Sequence, residues 1–384
     1  MKAGTPSSKP GLRLLFFSGG SALKTTATEL CRYSSNTIHL LTPFDSGGSS
    51  ATLRRAFSMP AVGDLRSRIM ALADAQQEGN PEVYTLFAYR LPVKESARRL
   101  MGEFTSLVRG SHPLIHQIPE PVNGILREHL VWFALHMPKN FSLAGANVGN
   151  LVLAAGYLRN KRRLGAVMAL FSRMLKAQGI ARPIVDANAH LAVRLASGQV
   201  VVGQHRFTGK EGVAVASPIE SIWLTAAEDS TEPLQSLCIA DRTARLITSA
   251  EALCYPVGSF YSSVVANLLP GGVGRAVAAN KGRKIFVPNL GSDPELTGHS
   301  LLMQIERLLV PLQKDAPGSR PVDFLSHVMV DAQYGAYPGG IPERDLAAMG
   351  IGLIKVPLVR EGKGPLADAR LLAQALADNA KARP

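Results

Sequence analysis

The sequence predicts an α/β protein with a Rossmann-like three-layer fold, in which a mostly parallel sheet is interrupted by an inserted all-helical segment. Residues 12–17 form a short apolar run that ends in Ser18-Gly19-Gly20-Ser21, and helical periodicity follows over 22–33. A buried strand, a glycine turn and a helix in that order are typical of the first unit of nucleotide-binding α/β domains. The chain of 384 residues is 46% hydrophobic, with 35 glycines and 25 prolines, and can therefore bury a large core between many turns.

The second strand and its loop support a doubly wound sheet. Residues 37–42 predict this strand, and a loop rich in glycine and serine follows over 43–50. Ligands of such sheets bind in the loops at the carboxyl ends of the strands. A further turn at 59–66 then leads into a helix that reaches about residue 73.

The middle and the end of the chain differ in pattern. Helical periodicity dominates from about 81 to 179, and two short strands over 191–195 and 199–203 follow as a hairpin. Later runs predict strands at 252–255, 284–287, 327–330 and 352–356, and helices at 261–268, 298–310 and 366–377. We therefore expect a flexible lead over 1–10 and one α/β domain over 11–384, with the helical insertion at about 81–179.

The net charge of +13 raises nucleic acid as a partner, because neutralising phosphates is a common reason for a basic surface. Residues 151–185 contain seven basic side chains and no acidic one, but no basic tail or aromatic ladder accompanies them. We favour a solvated basic helix face and do not expect nucleic acid.

No apolar run approaches the roughly 20 residues of a membrane span. Three widely spaced cysteines fit neither a disulfide framework nor zinc, and we expect the cytoplasm.

Several common catalytic motifs are missing. The Walker A spacing, a G-x-G-x-x-G after the first strand, an H-E-x-x-H helix and a G-x-S-x-G elbow all fail to match. What remains is a set of Gly, Ser, Asp and Asn loops after predicted strands. Glycines let backbone N–H groups approach a phosphate, and an aspartate can hold Mg²⁺ beside it. Each loop alone also fits a purely structural turn, and Asp64 alone fits a helix cap.

Five motifs follow one another along the chain: S-G-G-S at 18–21, D-S-G-G-S-S-A-T-L-R at 45–54, G-D-L-R at 63–66, V-G-N-L-V-L-A at 148–154 and P-V-G-S-F-Y-S-S at 256–263. In sequence and order they resemble the motifs of the CofD-like family, which contains 2-phospho-L-lactate transferase and gluconeogenesis-factor-like proteins that bind a UDP-sugar. The resemblance spans about residues 12–377. The variants at 43–46 and 59–62 are similar to a subgroup, the CofD-like protein of the GAK gene system.

The resemblance implies a nucleotide of the GDP or UDP type in a cleft between these loops. Asp45 would hold Mg²⁺, and Asp64 and Arg66 would complete the catalytic set, with Arg66 either on a phosphate or paired as scaffold. Packing is the plain alternative for Asn150 and for Tyr261. The implied nucleotide-binding residues are Gly19, Gly20, Ser21, Gly47, Gly48, Ser49, Asn150, Gly258, Ser259, Tyr261 and Ser263.

Two departures from the family pattern bear on function. One carboxylate of the acidic pair after the second strand is missing, so that Asp45 stands alone, and only Asp368 remains of an R-H-D sequence near the C-terminus. The first hypothesis is a Mg²⁺-assisted transferase that moves a phospho-linked group from a nucleotide donor to an acceptor hydroxyl. The alternative is a non-enzymatic regulator that binds a nucleotide-sugar. We also allow for a homodimer.

Overall fold

The computed structural model describes residues 11–73, 80–209, 217–360, 362 and 366–380; the predicted lead over 1–10 lies outside them. The described strands form a seven-stranded parallel sheet and a three-stranded antiparallel sheet. The strands are β1 (Leu14–Ser18), β2 (Ile38–Leu41), β3 (Ile180–Pro183), β4 (His190–Leu195), β5 (Val200–Val202), β6 (Ile219–Thr225), β7 (Ala252–Tyr255), β8 (Arg283–Phe286), β9 (His327–Val330) and β10 (Gly352–Lys355).

Helices cover both faces of the large sheet, which confirms the predicted three-layer α/β fold. Side chains of β1 alternate between two cores: Leu15 and Phe17 enter one, and Leu14 and Phe16 enter the other. All five residues of β1 are buried, as expected for a central parallel strand. Among the described residues, no helix is long and apolar enough to cross a membrane.

The described α-helices follow the chain between these strands, and six of them, α4 to α9, occupy most of the stretch between residues 81 and 174. They are α1 (Lys24–Leu30), α2 (Gly48–Phe57), α3 (Gly63–Leu72), α4 (Pro81–Ala88), α5 (Ala97–Arg109), α6 (Pro113–His116), α7 (Val122–His136), α8 (Val148–Arg159), α9 (Leu164–Met174), α10 (Gln204–Phe207), α11 (Asp241–Thr248), α12 (Val273–Ala279), α13 (Leu301–Asp315), α14 (Pro321–Phe324), α15 (Glu343–Ala348) and α16 (Ala369–Ala380).

The strand order of the large sheet, β10-β9-β8-β7-β1-β2-β3, places a topological switch point between β1 and β7. From β1 the chain first builds outward through β2 and β3, and it later returns to the other side of β1 with β7. The loops that leave β1 and β7 therefore diverge, and a crevice opens at their carboxyl ends. The fold thus brings the segments after Ser18 and after Tyr255 together.

One local prediction was wrong, and one predicted helix is present but is not an α-helix. The loop predicted over 43–50 ends early, because α2 begins at Gly48. The helix predicted over 261–268 is a π-helical turn at Phe260–Val264 followed by a 3₁₀ turn at Val265–Leu268. The predicted hairpin is confirmed as β4 and β5, and β6 extends it into the smaller sheet.

Candidate functional site

A polar cavity of about 210 Å³ lies at the switch point between β1 and β7. Four segments supply its walls: the loop after β1, the loop after β2, the start of α3 and the loop after β7. A fifth contribution comes from α10, beside the smaller sheet. The lining residues are Gly19, Gly20, Ser21, Ala22, Leu23, Asp45, Asp64, Gln204, Val257, Gly258, Ser259 and Ser263.

The two glycines after β1 are required because side chains from other elements press directly on their backbone. An ideal Cβ on Gly19 would lie 2.8 Å from the Cβ of Ser263, and one on Gly20 would lie 2.5 Å from the Cγ of Asp64. Both distances are shorter than a side chain tolerates without displacement. The loop after β1, α3 and the π-helical turn therefore meet with no room for a methyl group between them.

Arg68 of α3 fixes the loop after β1 by hydrogen bonds to its backbone. It is completely buried, and its guanidinium donates to the carbonyl oxygens of Leu23 at 2.9 Å and Gly19 at 2.8 Å. Burial lowers the pKa of Arg68 to about 10, and the nearby Asp64 charge acts in the opposite direction. Because Asp64 and Arg68 stand four residues apart on α3, both lie on the helix face that carries this loop.

Arg68 thus binds carbonyls of the loop, whereas three backbone N–H groups of the loop stay unpaired. Among the described residues, no group accepts a hydrogen bond from the backbone N–H of Gly20, Ser21 or Ala22. Consecutive unpaired N–H groups before a helix are a common anion-binding arrangement.

The π-helical turn after β7 is different, because acidic side chains already occupy its N-terminus. Glu295 accepts from the backbone N–H groups of Tyr261 and Ser262, each at 2.8 Å, and Asp293 accepts from that of Phe260 at 2.9 Å. A bound anion would have to displace these carboxylates. The loop after β1 is therefore the better anion-binding wall of the cavity.

Asparagines fix the loop after β7 against its neighbours. Asn289 accepts from the N–H of Gly258 at 2.9 Å and donates to its carbonyl at 2.7 Å. Asn267 donates to the carbonyls of Ser18 at 3.0 Å and Ser263 at 2.7 Å, which ties the end of β1 to the π-helical turn. The cavity walls on both sides of the switch point are therefore held by side-chain amides, of which that of Asn267 is completely buried.

A second buried arginine holds the loop after β2. Arg54 donates to the carbonyls of Phe44 at 2.9 Å and Asp45 at 3.1 Å, and also to that of Ala189 at 2.6 Å. Burial lowers the pKa of Arg54 to about 10. The Asp45 carboxylate accepts from the N–H of Gly47 at 3.1 Å, which orients it at the half-buried edge of the cavity.

Eight of the predicted site residues line one cavity. Asp45 and Asp64 are both present, and each offers the hard oxygen ligands that Mg²⁺ prefers. No cluster of three or more His, Cys, Asp or Glu arranged for a metal occurs within the described ranges. The eight residues are Gly19, Gly20, Ser21, Asp45, Asp64, Gly258, Ser259 and Ser263.

Arg66, Asn150 and Ser49 form a separate cluster beside the cavity. Arg66 donates to Asn150 Oδ1 at 2.8 Å and to the carbonyl of Phe87 at 2.8 Å, and Asn150 in turn donates to Ser49 Oγ at 3.3 Å. Arg66 stands two residues after Asp64 on α3, so it leaves the opposite side of the helix. This cluster joins α2, α3 and α8, and the predicted phosphate contact of Arg66 stays a prediction.

Tyr261, Gly47 and Gly48 are also not among the residues that line this cavity. The Tyr261 hydroxyl is buried against the Ile219 carbonyl at 3.0 Å and His299 Nε2 at 2.8 Å, and burial raises its pKa. Ser259 and Ser263 stand four residues apart and face the cavity, whereas Tyr261 between them faces away. Gly47 caps α2, and Gly48 lines a different depression.

Three residues that hold or complete the site were missed at the level of sequence: Arg54, Arg68 and Gln204. For Arg68 a signal was present, because the sequence G-D-L-R-S-R places Asp64 and Arg68 on one helix face. Arg54 ends the second motif, and the motif alone indicates no role for it. Gln204 carried no signal, since it reaches the cavity only through the packing of the smaller sheet.

The sheet order and the cavity define a doubly wound α/β protein with a polar pocket at its switch point. A family model described as 2-phospho-L-lactate transferase CofD matches residues 14–337. The chain belongs to this CofD family.

Curated relatives carry a second name. The Gluconeogenesis factor of Bacillus subtilis is 24% identical over 287 residues, which cover 75% of this chain and 70% of that protein. The Gluconeogenesis factor of Halalkalibacterium halodurans is 24% identical over 360 residues, covering 91% of this chain and 90% of that protein. A relative from Clostridium acetobutylicum is 24% identical over 290 residues, and the chain spans about half of its length, 49%.

A solved structure has the same fold. The crystal structure of a protein member of the UPF0052 family from Bacillus halodurans superposes with a TM-score of 0.67 at 20% identity. The match covers 96% of this chain and 99% of that one.

Proposed function

We propose that this chain binds a nucleoside diphosphate group at the switch-point cavity and is a Mg²⁺-assisted transferase. It would move a phospho-linked group from a nucleotide donor of the GDP or UDP type to an acceptor hydroxyl. The observation that carries the proposal is the loop after β1, which lines the cavity with unpaired N–H groups at Gly20, Ser21 and Ala22 while Arg68 binds its carbonyls. The volume of about 210 Å³ suits a diphosphate better than a whole nucleotide, so the nucleoside would extend outward.

The charges of the cavity support a role for Mg²⁺. The described lining residues include two carboxylates, Asp45 and Asp64, and no cationic side chain. A diphosphate beside two carboxylates would be repelled unless a cation lay between them. Asp45 and Asp64 are the residues that would hold the ion, and Mg²⁺ characteristically uses one or two carboxylates together with phosphate oxygens.

The chain's own residues would act by positioning. Backbone N–H groups of Gly20 and Ser21 would bind phosphate oxygens, and Ser259 and Ser263 would hydrogen-bond from the opposite wall. When bound, Mg²⁺ would stabilise negative charge that develops between the two phosphates. Transfer breaks the bond between the phosphates, so that a nucleoside monophosphate leaves and the acceptor oxygen takes the other phosphorus. The acceptor proton passes to solvent or to a nearby carboxylate.

Calorimetry with GDP, GTP, UDP and UDP-N-acetylglucosamine, with and without Mg²⁺, tests the proposal. We expect at least one to bind with micromolar affinity, more tightly with Mg²⁺. Asp45→Asn should reduce the Mg²⁺ dependence, whereas Asp345→Asn, at an exposed position on α15, should not. If none binds at millimolar concentration, the cavity is not a nucleotide site.

The second candidate is a regulator that binds a nucleotide-sugar without turnover. One observation favours it: the residue after Asp45 is Ser46, whose hydroxyl is engaged with His205, so this loop offers one acid rather than two. Release of UMP from UDP-N-acetylglucosamine, or of GMP from a GDP-linked donor, separates the candidates. Binding with no monophosphate release in the presence of acceptor alcohols supports the regulator.

A further inference from the structure

A second cavity, of about 540 Å³, lies between the free edge of β6, α13 and the segment 233–238. Unlike the switch-point cavity, it is lined mainly by apolar side chains. Small-molecule sites typically have volumes of this order and combine an apolar lining with a few polar groups. The apolar lining includes Ile222, Trp223, Leu234, Leu237, Leu269 and Val310.

The π-helical turn separates this cavity from the switch-point cavity. Ser259 and Ser263 line the switch-point cavity, whereas Tyr261 and Val265 line the second one. Because these residues alternate along one helical segment, the two cavities lie on different sides of it. No described residue lines both cavities, so a molecule in the second cavity would not be part of the proposed nucleotide site.

The cavity follows the edge of β6, and the free part of that edge is short. Five consecutive residues, 220–224, line the cavity, whereas a cavity on one face of the strand would meet every second residue. The carbonyl of Leu224 accepts from the N–H of Leu234 at 2.7 Å, and that of Ile219 accepts from the Tyr261 hydroxyl at 3.0 Å. Strands usually pair over several residues. The edge therefore leaves no room for a peptide to add a strand, and a small molecule is the better occupant.

The charged side chains around the cavity favour an anion. Arg307 is half-buried and Lys314 is exposed, and neither has an ion-pair partner in the described chain. The carboxylate of Asp315 is neutralised by Arg275 at 3.0 Å. Glu220, the other lining carboxylate, is exposed. Two unpaired cations beside one unpaired carboxylate leave an excess of positive charge at the cavity.

An apolar cavity with unpaired cations on one wall is complementary to a molecule with an apolar body and an anionic end. The body would exclude water from the aliphatic lining, and the anion would lie beside Arg307 on α13. We propose that this cavity is a second ligand site, which binds a small amphipathic organic anion with a carboxylate or sulfonate group. The site is independent of the proposed nucleotide function.

Fluorescence titration with two dyes separates the contributions of charge and apolar body. Anilinonaphthalene sulfonate has both, and phenylnaphthylamine is its uncharged analogue. Arg307→Gln removes the half-buried cation, and Arg344→Gln, at an exposed position on α15, is its matched control. Val310→Glu places a carboxylate at the cavity, and Val131→Glu, at an exposed valine on α7, is its matched control.

The wild type should bind one equivalent of the sulfonate dye with micromolar affinity. Arg307→Gln should weaken the sulfonate dye about twofold to fivefold, as expected for one partly exposed charge pair, and should leave the affinity for the uncharged dye nearly unchanged. Val310→Glu should weaken the sulfonate dye by about fivefold or more, because it brings a like charge into an apolar site. Both controls should match wild type, and thermal melting checks that each variant is folded.

Trp223 gives a direct signal from the cavity, because the chain contains only two tryptophans. In Trp132→Phe, the tryptophan emission comes from Trp223 alone, and titration with decanoate should shift it until the site is saturated. In Trp223→Phe, the emission comes from Trp132 in the helical layer, and decanoate should leave it unchanged.

Several results would overturn the inference. Sulfonate-dye binding that is the same in Val310→Glu and wild type places the dye elsewhere on the protein. Equal weakening of both dyes by Arg307→Gln shows that this arginine contributes packing and not charge. Decanoate that leaves the emission of Trp223 unchanged shows that the cavity does not take up an apolar anion. A dimer that dissociates in Val310→Glu, with no binding of either dye to the wild type, assigns the cavity to a contact between two copies of the chain.

Discussion

The contact between Gly20 and Asp64 gives a sharp test of how the cavity is built. In Gly20→Ala, the new Cβ would start 2.5 Å from Asp64 Cγ, whereas ordinary carbon contacts are about 3.5–4.0 Å. The Asp64 side chain must therefore turn away, or the loop after β1 and the start of α3 must separate. Overpacking of this kind costs roughly 1–3 kcal/mol of unfolding free energy. Because the same movement displaces a cavity wall, nucleotide affinity should fall at least tenfold.

Urea unfolding and calorimetry measure the two effects. Gly102→Ala is the control, because Gly102 lies on the exposed face of α5 with nothing within 4 Å of an added Cβ; it should gain about 0.5–1 kcal/mol. Adding Asp64→Ala to Gly20→Ala should recover most of the lost stability but not the binding. The reasoning is refuted if Gly20→Ala unfolds within 0.5 kcal/mol of wild type, or if the double variant is no more stable than the sum of the single changes predicts.

Other predictions follow from single contacts. Arg68→Met should lower the free energy of unfolding by about 1–3 kcal/mol, because the buried carbonyls of Gly19 and Leu23 lose a charged hydrogen-bond donor. The control Arg32→Met, at an exposed position, should change the same free energy by less than about 0.5 kcal/mol. Burial lowers the pKa of His190 from 6.5 to about 4, so the unfolded chain binds more protons than the folded chain between these pH values. As the pH falls from 6.5 to 4, the free energy of unfolding of the wild type should therefore decrease by about 1–2 kcal/mol more than that of His190→Gln, a value that allows for partial solvent screening. Cys238 is exposed and should react with Ellman's reagent in the native protein. Cys254 is buried, and burial raises the pKa of its thiol, so it should react only after unfolding. Labelling of both cysteines in the native protein would contradict the burial of Cys254.

Strands buried on both faces were predictable from sequence, whereas two of the edge strands, β3 and β6, were not. β1 and β2 are buried throughout and, apart from Ser18 and His39, apolar, because both of their faces are covered by helices. β3 was missed because it contains Arg182 and ends in Pro183, which an edge strand tolerates and a central strand does not. α2 was missed because its first residues, Gly48-Ser49-Ser50, have the composition of a turn.

Part of the candidate site was also predictable from sequence, and part was not. Glycine loops after strands can be located from local sequence, because their chemistry requires a particular residue type next to a strand end. The contacts that hold these loops join distant parts of the chain: Arg68 binds residues about 45 to 49 positions earlier, and His205 binds Ser46 across 159 positions. No local pattern encodes such contacts, and Gln204 reaches the cavity only through one of them.

The net charge of +13 can now be related to the fold. Two of the basic side chains in the stretch 151–185 make contacts between helices. Arg159 forms an ion pair with Glu128 of α7, and Arg162 donates to the carbonyls of Ser58 and Phe57 at the end of α2. The cavity itself carries carboxylates among its described lining residues. The surface charge can therefore draw a polyanion toward the protein, but it cannot hold one in the cavity. Under the proposed function, retention there would come from backbone N–H groups and a cation, so we expect that diphosphate binding by this basic chain requires Mg²⁺.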